Sequence, residues 1–148
     1  MEVDNVHFPQ TKFLSFKQTP KFEAMTSKLK EFNAQVPEGD RLQDDQLEKM
    51  HLLCMEDKDS STDDVVCLMK ALRWPQNMSF PALDILRCAV LNPKTNKFLL
   101  NDTTIDDVIS LMMSGLDAGS PDNCKMLTLR ILANMFLNDR GNFRFLLL

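Results

Sequence analysis

The sequence predicts an all-α fold of stacked helical repeats, and three observations carry that expectation. Ten methionines and ten phenylalanines stand beside four glycines and no tyrosine, a composition poor in the residues that build strands. Apolar residues recur at spacings of three and four along most of the chain, which is the period of a helix with one buried face. The third observation is self-similarity. Setting Leu83 on Leu129, an offset of 46 residues, places Ile85 on Ile131, Leu86 on Leu132 and Val90 on Phe136, with Leu91 and Asn92 on Leu137 and Asn138. A period of about 40 to 47 residues with two or three helices per unit is that of armadillo or HEAT stacking.

The elements follow in order. The stretch FPQTKFLSF at 8–16 is too short and too broken by Pro9 for a helix, so it reads as an extended arm whose aromatics lie along the body. Phe22, Met25, Leu29 and Phe32 then keep helical spacing over 21–33. After a loop carrying Pro37 and Gly39, a second helix is marked by Leu42, Leu47, Met50, Leu53 and Cys54. The acidic junction at 56–64 has a local balance of −4 and reads as solvated. Ser61 or Thr62 can cap the next helix, with Asp63 and Asp64 in its first turn and Val65, Val66, Leu68, Met69 and Leu72 on its buried side. Trp74 and Pro75 close it.

The stretch FPALDILRCAVLN at 80–92 is the clearest helix. Pro81 suits a first turn, Pro93 stops the helix after Asn92, and Leu83, Leu86 and Val90 form a face widened by Ala82, Ile85 and Ala89. Arg87 sits at the edge of that face, where it either snorkels to water or is presented to a partner. A short piece at 94–100 follows. Thr103 or Thr104 then starts a helix with a capping-box-like Asp106 or Asp107, a stripe of Ile105, Val108, Ile109 and Met112, and an exit at Gly115 and Gly119. The longest helix runs over 122–138 on a seam of Leu127, Ile131, Leu132 and Met135.

With 148 residues, 44% hydrophobic, 26% charged and a net charge of −4, the chain fits one domain with a real core. No apolar run approaches the roughly 20 residues of a membrane span, and the start MEVDNVHF is acidic, unlike a secretory signal. The expected location is cytoplasmic and nuclear. A pI near 5.1 and mixed-charge polar faces argue against a membrane surface or a nucleic acid as partner. Cys54, Cys67, Cys88 and Cys124 form no CxxC pair and read as buried free thiols. His51 and Cys54 share a spacing of three, but no second pair completes a zinc site. His7, His51 and the cysteines lack a strained elbow and an oxyanion loop, so no catalytic residue, metal or cofactor is expected.

Several landmarks resemble one family. FPALDILR at 80–87, the arm FPQTKFLSF, KLKEFN at 28–33, LMKALRWP at 68–75 and LTLRILANMF at 127–136 are similar, in order, to the PUL domain of phospholipase A-2-activating protein. The resemblance implies an armadillo-like solenoid of PUL type, with an N-terminal extended arm at 1–19 and the N-terminal half only of the domain at 20–148. It implies a non-catalytic interaction module that binds the C-terminal tail of the hexameric AAA ATPase valosin-containing protein and links it to ubiquitin-dependent degradation. The apolar end FRFLLL at 143–148 would be covered by a further repeat, so a fragment is expected. Ubiquitin contact is not expected from this chain alone. The alternative is an incomplete PUL fragment with no competent groove, structural or needing the missing repeats.

The resemblance also nominates residues. Asn134, within LANMF, sits where armadillo repeats bond the backbone of an extended peptide, although it can equally cap or solvate a helix face. Arg87 heads the basic candidates, because an arginine forks two N–H bonds onto a carboxylate. Lys70 and Arg130 follow. The local balance of +3 over 125–148 is compatible with a basic groove. Trp74 is expected in the core.

Overall fold

The computed structural model describes residues 16–135. Seven α-helices occupy this range: α1 Phe22–Asn33, α2 Asp44–Lys49, α3 Thr62–Leu72, α4 Phe80–Ala89, α5 Pro93–Leu99, α6 Ile105–Gly115 and α7 Asp122–Met135. Two 3-10 segments, Glu38–Asp40 and Met50–Cys54, complete the set, and there is no strand among the described residues. The helices stack as in an armadillo-like solenoid. The N-terminal residues 1–15 of the arm, and Phe136, Leu137, Asn138 and the end at 143–148, lie outside the described range.

Local chemistry explains most boundaries. Ser61 caps α3 in a reciprocal box, its hydroxyl accepting from the Asp64 amide at 3.4 Å while Asp64 accepts from the Ser61 amide at 2.8 Å. Pro81 occupies the first turn of α4. Pro93, expected to end a helix, instead opens α5 in the same first-turn manner. Asn92 is accordingly not the last residue of α4 but the N-cap of α5, its Oδ1 accepting from the Lys94 amide at 3.2 Å. The capping box expected before α6 does not form. Asn101 Oδ1 takes that role and accepts from the Thr103 and Thr104 amides, each at 2.9 Å. The expected second helix splits, because α2 tightens into a 3-10 turn over Met50–Cys54.

Helix α4 is the centre of the stack. It packs on α1, α3, α7 and the 3-10 turn Met50–Cys54. Ala82, Leu83, Ile85, Leu86, Ala89 and Val90 are all buried. Phe80 meets Phe32 of α1 edge to face, with ring centroids 5.5 Å apart. Several buried side chains here find backbone partners. Asn92 Nδ2 and Thr95 Oγ1 both donate to the Leu53 carbonyl, at 2.9 and 2.7 Å, and Asn96 Nδ2 donates to Val90 O at 2.8 Å. Trp74 is buried as expected, with Nε1 donating to Asp40 O at 2.9 Å.

Two packing expectations are corrected. Val66 is 60% exposed rather than on the buried side of α3. The offset of 46 pairs Ile85 with Ile131, Ala82 with Thr128 and Ala89 with Met135, all buried, so the two buried faces are in phase, but it sets buried Leu83 on Leu129, which is 57% exposed. Helix α6 ends at Gly115 as expected, and no glycine among the described residues has positive φ. The value of Gly115 is the absent side chain: a Cβ there would collide with Thr128 Oγ1 of α7, so the glycine lets α6 and α7 approach closely.

Candidate functional site

Where α4 meets α7, the two helices hold a piece of the chain's own arm. Asn134 of α7 is fully buried. Its Oδ1 accepts from the Phe16 amide at 2.7 Å, and its Nδ2 donates to the Phe16 carbonyl at 3.2 Å and to the Arg87 carbonyl at 2.8 Å. A primary amide carries an acceptor and a two-hydrogen donor side by side, so it can read both polar groups of one extended residue as a neighbouring strand would. The placement works because α7 turns Asn134 into the seam while Met126 and Leu129 face outward.

Arg87 neither snorkels nor stands free. It is 5% exposed. Its Nε donates to Asp84 Oδ1 at 2.8 Å, one turn back on α4, and a terminal nitrogen donates to the Phe16 carbonyl at 2.6 Å. Burying a guanidinium demands such a partner, since removing either side would strand a charge out of water. Arg130, half-buried on α7, places its guanidinium 5.5 Å from the centroid of the Phe16 ring, within the range of a cation–π contact.

Three of the four nominated residues therefore converge on one backbone position: Arg87, Asn134 and Arg130 surround Phe16. Lys70 does not join them. It lies on α3 and donates to the Arg41 carbonyl at 3.0 Å. Arg73, a weaker candidate, bridges to Asp107 of α6 at 3.3 Å. Asp84 and Phe16 itself are the participants that sequence reasoning missed. The spacing of Asp84 three residues before Arg87 was the available signal; the arm at 8–16 was read as lying along the body, but which residue meets Arg87, 71 positions away, could not be read from sequence.

Nothing here forms a metal centre. Among the described residues no group of three or more His, Cys, Asp or Glu could hold a metal ion. His51 stacks on Phe22, with centroids 5.3 Å apart, and its buried Nδ1 finds no hydrogen-bond partner. Cys54, its neighbour in spacing, turns instead toward Cys88 and the Ile85 carbonyl. No helix among the described residues is long and apolar enough to cross a membrane.

The family model of the PUL domain matches residues 8–146. The Xenopus laevis phospholipase A-2-activating protein is 29% identical over 143 residues, covering 93% of this chain and 18% of the relative's own length. Match and fold agree, and the chain belongs to the PUL domain family.

Proposed function

We propose that this chain is a non-catalytic peptide-binding module that takes the C-terminal tail of valosin-containing protein along the wall formed by α4 and α7. Through that contact it would connect the ATPase to ubiquitin-dependent degradation in the cytoplasm and nucleus. The observation that carries the reading is the two-sided hold of Asn134 on the Phe16 backbone. A side chain placed to accept from an amide and donate to the carbonyl of the same residue recognises extended backbone whatever its sequence. Arg87 and Arg130 set positive charge on either side of that position, which suits a segment ending in a carboxylate. Lys70 is proposed as an outer contact on the adjoining helix.

A second reading is favoured by one fact: Phe16 already saturates Asn134 and fills the reach of Arg87. In it the chain is a PUL fragment without a competent groove, structural or dependent on further repeats. The two readings differ in what the arm does. If the tail uses this wall it must displace Phe16, so weakening the arm strengthens binding.

Fluorescence polarisation of a labelled tail peptide, titrated with the chain and with Phe16→Pro, separates them. Proline at that position removes the amide that Asn134 accepts from. Saturable binding that tightens in Phe16→Pro supports the tail reading, and Arg130→Ala then weakens it. The absence of saturable binding by either protein would sink it and favour the fragment reading.

A further inference from the structure

Cys54 and Cys88 meet across a seam of the fold. Cys54 ends the 3-10 turn Met50–Cys54, and Cys88 lies in the last turn of α4. Both line one cavity of about 330 Å³ beside Lys17, Thr19 and Asn92. The Cys54 thiol donates to the Ile85 carbonyl at 3.4 Å, one helical turn before Cys88. The Cys88 thiol also points at the Gln18 carbonyl of the arm, 3.6 Å away. Cys54 is partly open to solvent, and Cys88 is 8% exposed.

The two sulfurs are chemically unequal. The neighbouring Cys54 thiol lowers the Cys88 thiol below its ordinary value, with burial opposing and the Arg87 guanidinium assisting. The neighbouring Cys88 thiol and burial push Cys54 up. The first proton therefore leaves at Cys88, and the Cys54 S–H steadies the resulting thiolate. The remaining cysteines lack this arrangement. Burial and then Asp64 and Asp63 raise Cys67. Burial raises Cys124, whose thiol donates to Gln76 O at 3.1 Å.

We infer that Cys54 and Cys88 form a dithiol modification site, which a hydroperoxide closes to an intramolecular disulfide across the cavity they share. The Cys88 thiolate attacks the peroxide oxygen, the O–O bond breaks and the departing alkoxide takes a proton to leave as alcohol, or as water from hydrogen peroxide. Cys88 is then a sulfenic acid. The Cys54 sulfur attacks the Cys88 sulfur, the S–O bond breaks, and hydroxide leaves as water with the Cys54 proton. Two thiols have given up two electrons, and the hydroperoxide has become alcohol and water. Closure removes the S–H donors to Ile85 and Gln18. Gln18 stands two residues from Phe16, so the modification reaches the arm. This site does not depend on tail binding.

The test is exposure of the folded chain to hydrogen peroxide, blocking of free thiols with N-ethylmaleimide, and non-reducing peptide mapping by mass spectrometry. A Cys54–Cys88 linked peptide is expected, with free thiols falling from four to two and Cys67 and Cys124 still alkylated. In Cys54→Ser the oxidised Cys88 is expected to persist as a sulfenic acid that dimedone traps. Four alkylated thiols after treatment of the parent chain, or a disulfide drawn from Cys67 or Cys124, would overturn the inference, and both outcomes are read without any variant.

Discussion

Asn33 and Asn134 grip backbone in the same way at two places, and only one of them is a binding-site candidate. Asn33, ending α1, accepts from the Leu42 amide and donates to the Leu42 carbonyl, both at 2.8 Å. Asn134 does the same to Phe16. The amide chemistry is identical, but the chain between the partners is not. Nine residues separate Asn33 from Leu42, and 118 separate Asn134 from Phe16. A short loop delivers Leu42 to its partner at small entropic cost. Phe16 is held by contacts alone, so another extended segment can compete for its place. Asn134 is also the more deeply committed, being fully buried with a third bond to the Arg87 carbonyl, whereas Asn33 is half-buried.

Breaking each grip should separate the two roles. The largest effect is expected from Asn134→Ala, which leaves polar groups of Phe16 and Arg87 without partners in the seam. A loss of about 2 kcal/mol should appear in urea unfolding, together with faster proteolytic removal of the arm. Asn33→Ala should cost about 1 kcal/mol, because the Leu42 groups are nearer to water, and should leave arm cleavage unchanged. The smallest effect is that of Arg130→Ala, about 0.5–1 kcal/mol for a partly exposed cation over a ring. A double-mutant cycle with Phe16→Leu should recover that term as coupling; independent, additive effects would show that the ring and the guanidinium do not interact.

The order and type of the helices were legible because apolar spacing, Ser61 and Pro81 are local signals read in register with helix geometry. The capacity of Asn134 for backbone was legible too, through the family resemblance of LANMF. What was hidden depends on three dimensions. Pro93 looks the same in sequence whether it ends one helix or opens the next, and the buried Asn92 that decides it is fixed by Leu53, 39 residues away. Gly115 reads correctly as a helix exit, but nothing near it in sequence shows Thr128 of α7 against it. Arg87 reads as a surface cation because neither the carbonyl of Phe16 nor the enclosing helices can be inferred from its neighbours. Val66 and Leu129 fit an apolar pattern yet face outward, since periodicity marks a face without naming what covers it.

The central claim is that the wall of α4 and α7 grips an extended backbone through Asn134, and the exchange of the Phe16 amide hydrogen reads that contact directly. Residue-resolved hydrogen exchange by NMR should find the Phe16 amide protected in the parent chain and released in Asn134→Ala, while the helical amides of α4 stay protected in both. A Phe16 amide that exchanges at the free-chain rate in the parent protein would contradict the account.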